Sequence, residues 1–323
     1  MNKKTARVCT VNAHCKINLH LSIKEKRPDG LHELESLFAS LALSDTMRFE
    51  LKKNGRPGVM DRLFIDWRLP QHECPGESIP PANNLVLRAV SLFREKTGFE
   101  ERLDIRLCKR IPVGAGLGGG SSDAASTLLA LNALAGTALA AEELREMAAL
   151  LGSDVPFFIG GGAAYVSGVG ELIEPVRSPE GLWVVLVKPA FSCDTASAYG
   201  LLDEARKNTS GAVIHGEFLS KNVIIRSFGD EPHTWPYQND FLQVFFFAED
   251  REYCKKALAY REVLQDLGNA GAAFTGLTGS GSCCFGIFTA KRAAKSAENE
   301  LSGRGNFVKL TFFLAYRADP VVK

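Results

Sequence analysis

The segment Ile111-Pro-Val-Gly-Ala-Gly-Leu-Gly-Gly-Gly-Ser-Ser-Asp-Ala-Ala125 constrains this 323-residue chain most, because five glycines and two serines stand directly ahead of an Ala/Leu-rich pattern of helical spacing. Glycine leaves no side chain between a ligand and the peptide N–H groups, yet it is costly in backbone entropy, so a run this dense implies a purpose. At the start of a helix such a run exposes unsatisfied donors and partial positive charge, which favour a phosphate. The segment reads as a phosphate cradle built on Gly114, Gly116, Gly118, Gly119 and Gly120, with Ser121 and Ser122 placed to cap the helix that follows.

Other phosphate loops compete with that reading. Gly114-x-Gly116-x-x-Gly119 satisfies the dinucleotide fingerprint, and Leu103 to Cys108 alternates like the strand ahead of one, so an NAD(P)-dependent oxidoreductase is an alternative. Against it, Pro112 interrupts the strand-to-loop turn and the glycines run on into Ser-Ser-Asp. The acidic ribose ligand should follow by about 20 residues at a strand end, whereas Glu142 and Glu143 fall in a helical pattern. A P-loop is excluded, since no lysine followed by Ser or Thr closes the run.

With 38 basic against 37 acidic side chains the net charge is +1, which argues against a nucleic-acid partner held by bulk electrostatics. Asn12, His14, Lys16 and Asn18 break the stretch Val8 to His20, leaving no signal-peptide core, and no apolar run reaches membrane-spanning length. Eight cysteines without C-x-x-C spacing argue against a zinc site and for reduced thiols, hence a cytoplasmic protein with no membrane partner.

Along the chain, Lys16 to Ile23 alternates strictly, predicting a half-buried strand whose open face carries Lys16, Asn18, His20 and Ser22. Arg27-Pro-Asp-Gly30 is turn chemistry, and Met47 to Leu51 and Leu63 to Trp67 are further strands, with a loop over 52–61 and a proline-rich connector over 70–81. Asn83 and Asn84 can cap a helix bearing Leu85, Ala89, Leu92 and Phe93. A second helix runs from the glycine loop to Gly136, and a third ends at Gly152. Leu182 to Val187 is a strand buried on both faces. Helices over 251–267 and 292–301, and a strand near 307–314, complete an α+β chain divided into domains over 1–178 and 179–323. The segment 208–236 carries no motif.

Three motifs, Lys16-Ile-Asn-Leu19, Pro112 to Ala125 and Gly276-Leu-Thr-Gly-Ser-Gly-Ser-Cys-Cys-Phe285, together resemble the GHMP small-molecule kinases in content and order. Asp29-Gly-Leu-His-Glu33, Asn84-Leu-Val, Lys109-x-Ile-Pro112, Gly152-Ser-Asp-Val-Pro-Phe-Phe158 and Asn239-Asp240 are similar to the branch of that family whose acceptor is a cytidine diphosphate-linked methylerythritol. The resemblance implies a two-domain GHMP kinase fold with the active site in the cleft between domains, ATP and Mg²⁺ as cofactors, a small alcohol as acceptor, and a monomer or homodimer. Homoserine, mevalonate or a sugar are alternative acceptors, and a nucleotide-binding paralogue without transfer is a third reading. Two departures stand out: Ala13-His14-Cys15 replaces Ala-Pro-Ala, and Leu31 replaces the aromatic that helps hold cytosine.

Phosphoryl transfer needs positioning, charge neutralisation and a group to take the hydroxyl proton. Asp154, a lone carboxylate between serine and an apolar run, is the candidate base and equally a helix cap before Pro156. The resemblance favours the base and pairs it with Lys16 as the second catalytic residue. His32 resembles the family residue that contacts the cytidine end of the acceptor; Asn18 shares the strand face of Lys16, placed to orient the acceptor, and Tyr199 is a candidate stacking face in place of the aromatic missing at Leu31. Asn84, Lys109, Pro112, Leu117, Ser121, Ser122 and the loop glycines would hold the nucleotide. No ligand cluster is expected for Mg²⁺, which binds largely through phosphates and waters.

Overall fold

The computed structural model describes residues 7–52, 61–70, 73–74, 80–208, 219–247, 250–316 and 319–323; the loop 52–61, the connector 70–81 and the segment 208–236 lie partly outside them. β1 (Val8–Lys26) and β2 (His32–Lys52) form a long antiparallel hairpin. Its turn is the expected Arg27-Pro-Asp-Gly, closed by a bond from Gly30 N to Arg27 O (2.9 Å), with Gly30 left-handed at φ +86°.

The outer edge of β2 serves two partners. β4 (Arg102–Lys109) pairs along Thr46 to Lys52, with β3 (Arg62–Trp67) parallel beyond it, and β5 (Ala163–Gly168) pairs along Leu34 to Ala39, with β6 (Leu172–Val176) beyond it. A dinucleotide-binding unit returns after its first helix to a parallel strand beside the first. Here both neighbours of β4, β2 and β3, precede it in the chain, and the next strand, β5, pairs with β2 and not with β4, so the oxidoreductase alternative is excluded by topology.

Four helices and that sheet enclose the first core. α1 (Leu85–Thr97) is capped by Asn84, whose Oδ1 accepts from Val86 N and Leu87 N, and α2 (Gly119–Ala135) stops at left-handed Gly136. α3 (Ala141–Ala149) and the short α4 (Phe157–Gly160) follow. Ala124, Ala125 and Ala130 let α2 lie deep in a core with Phe49, Phe93, Leu128 and Phe157. The capping expectation at its start is corrected: the N-cap is Gly118, left-handed at φ +67°, no side chain caps it, and Ser121 and Ser122 fall inside the helix.

The second sheet has the order β10-β7-β9-β8 and is antiparallel throughout, comprising β7 (Trp183–Lys188), β8 (Phe274–Leu277), β9 (Cys284–Phe288) and β10 (Phe307–Phe312). α5 (Thr195–Asn208), α6 (Lys221–Ser227), α7 (Asp240–Phe247), α8 (Arg251–Asn269) and α9 (Lys291–Leu301) accompany it. The chain then returns to the first sheet, where β11 (Val321–Val322) pairs with β1.

Ile17, Leu19, Leu37 and Leu41 of the hairpin share one cluster with Val184, Leu186, Phe285 and Ile287 of the second sheet. The expected open face of β1 is corrected. Lys16, Asn18, His20 and Ser22 are all nearly inaccessible: Lys16 lies against Gly118 and the Phe38 ring, Asn18 against Thr278 and His20 beside Tyr237, and the strand is interrupted by shifts of register at His14/Lys16 and Asn18/His20. A buried polar face must find partners within the protein, and those partners define the site.

Candidate active site

The glycine loop is clasped from both sides. Lys16 N donates to Leu117 O (3.0 Å), Cys283 N donates to Ala115 O (3.2 Å), and Thr278 Oγ1 donates to Gly116 O (3.1 Å). The three motifs, separated by some hundred residues or more, therefore meet at one loop. Gly116 is left-handed at φ +71°, and a Cβ there would collide with the Thr278 carbonyl oxygen; at Gly118 it would meet the Phe158 ring and Lys16 Cγ. Close approach of neighbouring chain, in addition to ligand access, demands these glycines.

Beside the loop lies a cavity of about 290 Å³. Its walls include Pro112, Gly114, Gly116, Leu117, Gly118, Gly119, Gly120 and Ser121, together with Asn84 and Lys109. Trp67 and Ile65, from the end of β3, and Asp123 also line it. Lys109 Nζ is buried below Gly119, 2.8 Å from Asp123 Oδ2 and also paired with Asp45. Burial opposes its charge, but the two carboxylates outweigh that and hold its pKa above the ordinary value. Asp45 Oδ1 accepts from Arg110 N and Ile111 N and so fixes the entry to the loop. Asp123 is pushed up to about 7, chiefly by burial, and its Oδ1 has no hydrogen-bond partner.

Ser122 turns away from this cavity: its side chain is buried and lines a small separate hollow with His14 and Ser40. The residues not singled out from sequence are Asp45, Asp123 and Trp67. Asp123 was legible as the acidic end of Gly-Ser-Ser-Asp, whereas Asp45 and Trp67 gain their roles only through strand pairing.

On the other side of Gly118, Lys16 Nζ binds Asn18 Oδ1 (2.6 Å), stands 3.4 Å from Asp154 Oδ2, and lies 4.5 Å from the centre of the Phe38 ring. Asn18 is itself fixed, donating from Nδ2 to Ser36 Oγ and from its backbone N to Thr278 Oγ1, both at 3.0 Å. Asp154 is one-third exposed. The capping alternative for it is not found: the N-cap of α4 is Pro156, with no side-chain cap. A cation held beside a partly exposed carboxylate, next to a phosphate-sized loop, can stabilise an alkoxide while the carboxylate takes its proton.

His32 and Tyr199 stack on one another, with ring centres 4.9 Å apart and planes at 23°. His32 Nε2 is 2.7 Å from Asp203 Oδ1, and Leu31 beside it is exposed. Burial, reinforced by the charge of Asp154, pushes the Tyr199 hydroxyl up to about 12. Neither ring lines the cavity beside the glycine loop. Asp203 carried no sequence signal. Asn239 donates to the carbonyls of Leu277 (2.8 Å) and Gly279 (2.9 Å) and so braces the third motif.

Residues 84–162 match the family model for the GHMP kinases N terminal domain, and residues 242–306 that for GHMP kinases C terminal. A curated relative from Treponema pallidum (strain Nichols), a 4-diphosphocytidyl-2-C-methyl-D-erythritol kinase, is 34% identical over 91% of this chain and 95% of its own length. The enzyme of that name from Burkholderia ambifaria is 35% identical over 90% of this chain and 88% of its own. Among solved structures, a 4-(cytidine 5'-diphospho)-2C-methyl-D-erythritol kinase is similar with a TM-score of 0.70 and 30% identity, over 94% of this chain and 98% of the other. The homoserine kinase of Cytophaga hutchinsonii shares the fold alone, with a TM-score of 0.60 and 17% identity over 100% and 98% of the two chains.

Proposed function

The chain belongs to the GHMP kinases, among relatives named 4-diphosphocytidyl-2-C-methyl-D-erythritol kinase, and from that premise we propose that it transfers the γ-phosphoryl group of ATP to the 2-hydroxyl of 4-diphosphocytidyl-2-C-methyl-D-erythritol, in the non-mevalonate route to isoprenoid precursors. The observation that carries the mechanism is the placement of Lys16 between the glycine loop, through its backbone, and Asp154, through its ammonium. In this reading Asp154 accepts the proton of the 2-hydroxyl, Lys16 stabilises the alkoxide as it forms, and Asn18 keeps Lys16 from swinging onto the carboxylate. The glycine loop and Lys109 set the phosphates, and Trp67 with Asn84 borders the far end of the nucleotide cavity.

The residues present fit magnesium ATP. Ser121 and the unpartnered Asp123 Oδ1 are side-chain oxygens of the cavity wall suited to a hard cation or its waters, and they would hold the ion. Bound Mg²⁺ supplies neutralisation of charge on the β- and γ-phosphates. His32 and Tyr199 are assigned to the cytidine end of the acceptor. The domain boundary is placed at 178/179, between β6 and β7. A cytoplasmic location is proposed on the eight cysteines, none of which is joined in a disulfide; no helix among the described residues is long and apolar enough to cross a membrane.

The test is ADP release in a coupled assay with Mg-ATP and 4-diphosphocytidyl-2-C-methyl-D-erythritol, run beside homoserine and mevalonate. Turnover with the cytidine substrate alone is expected. Preferential turnover of either other acceptor overturns the substrate while leaving the family unchanged.

A further inference from the structure

Asp203 lies on α5 and in none of the three motifs, yet its carboxylate engages two residues that flank the turn of the first hairpin. Its Oδ1 is 2.7 Å from His32 Nε2 and its Oδ2 is 2.8 Å from Lys26 Nζ. Burial opposes the charge on Asp203, but Lys26 and His32 outweigh it and hold the carboxyl below the usual carboxylate range. An ionised carboxylate only accepts hydrogen bonds, so the ring proton of a neutral His32 must sit on Nε2. The lone pair is then on Nδ1. The ring is held flat against Tyr199, which is itself braced edge-on by Phe241 at 5.0 Å between centres.

We propose that Asp203 is a positioning residue that sets base specificity: by fixing the Nε2–H tautomer of His32 it presents an acceptor at Nδ1, which takes a hydrogen bond from the 4-amino group of cytosine and repels the 4-carbonyl of uracil. The proposal rests on the kinase reading for placing the nucleobase at His32. Leu31 sharpens its consequence, because a leucine stacks on a base less well than an aromatic ring and leaves more of the discrimination to hydrogen bonding. A site whose donor and acceptor are fixed rejects the mismatched base because a polar pair is left facing like against like.

The experiment is equilibrium binding of CDP and UDP to the wild type and to Asp203→Asn, with the nucleotide cavity saturated by a non-hydrolysable ATP analogue. Nitrogen NMR of histidine-labelled protein, with the His32 signal assigned by His32→Gln, reads the tautomer directly. The asparagine amide both donates and accepts, so it keeps the shape and releases the constraint. The wild type is expected to favour CDP by roughly tenfold or more, the variant to lose most of that ratio, and the wild-type signal to report Nε2–H. Folding of the variant is checked by its affinity for the ATP analogue. An unchanged CDP/UDP ratio in Asp203→Asn, no preference in the wild type, or an Nδ1–H tautomer overturns the proposal. CDP preference without turnover of the methylerythritol substrate would instead overturn the acceptor reading and leave the tautomer mechanism standing.

Discussion

Lys16 Nζ holds Asn18 Oδ1 at 2.6 Å but stands 3.4 Å from Asp154 Oδ2, so the ammonium is anchored to its own strand and only leans on the carboxylate. A carboxylate so placed keeps lone pairs for a substrate hydroxyl. Replacing it with an amide removes the proposed base and little else, since Asp154 caps no helix and does not line the cavity beside the glycine loop. Asp154→Asn should lower kcat by roughly 10²- to 10⁴-fold. Its calorimetric affinity for ATP should stay close to that of the wild type. A kcat near the wild-type value would remove Asp154 from proton transfer.

Lys16 combines two functions that a substitution can separate. Its stem packs on the glycine loop, where a Cβ at Gly118 would meet Cγ at 3.1 Å, and its ammonium faces Asp154. Lys16→Met keeps the stem and discards the charge. Loss of a group that acts on developing charge should reduce kcat by roughly 10²- to 10³-fold, with a smaller change in the KM for ATP. A change confined to KM would make Lys16 a nucleotide-binding residue.

How much of this was legible in the sequence depends on whether the physics is local. The helix ending at Gly136, the Asn84 cap and the Arg27-Pro-Asp-Gly turn rest on contacts within a few residues, and each is where the residues placed it. The alternation from Lys16 to Ile23 showed that β1 has two unlike faces, but not what covers the polar one; that depends on residues far along the chain, Gly118 beside Lys16, Thr278 at Asn18 and Tyr237 at His20. The serine caps failed because a left-handed Gly118 starts α2 one turn earlier than a side-chain cap would. Asp203 was invisible for the same non-local reason: it meets His32 across 171 positions of sequence.

Two glycines of one loop should respond in opposite ways to alanine. Gly116 is left-handed, and its Cβ would strike the Thr278 backbone, which holds the third motif against the loop. Gly120 has ordinary φ, and its Cβ would find only Leu85 Cδ1, at 3.6 Å. Gly116→Ala combines a left-handed penalty of about 1 kcal/mol or more with backbone displacement and should lower the thermal midpoint clearly. Gly120→Ala, within α2, should leave the midpoint unchanged or raise it, since alanine is favoured over glycine in a helix by up to about 1 kcal/mol. Equal effects on both would show that the loop–motif contact does not constrain Gly116.

His20 and Asp240 are buried where β1 meets the start of α7, and burial displaces their titrations in opposite senses. His20 is lowered from 6.5 to about 4, so the unfolded chain binds the extra proton between those values and stability from this group rises with pH across that window. Asp240 is raised from 3.8 to about 6, so the folded protein binds the extra proton over nearly the same window and stability from this group falls as pH rises. Each displacement corresponds to roughly 3 kcal/mol across its window, so the two slopes nearly cancel in the wild type. His20→Gln should therefore unmask a loss of stability between about pH 4 and 6, and Asp240→Asn a gain over the same interval. Urea midpoints at several pH values give both slopes. Variants that keep the wild-type profile would mean that neither residue is held in its displaced state by the fold.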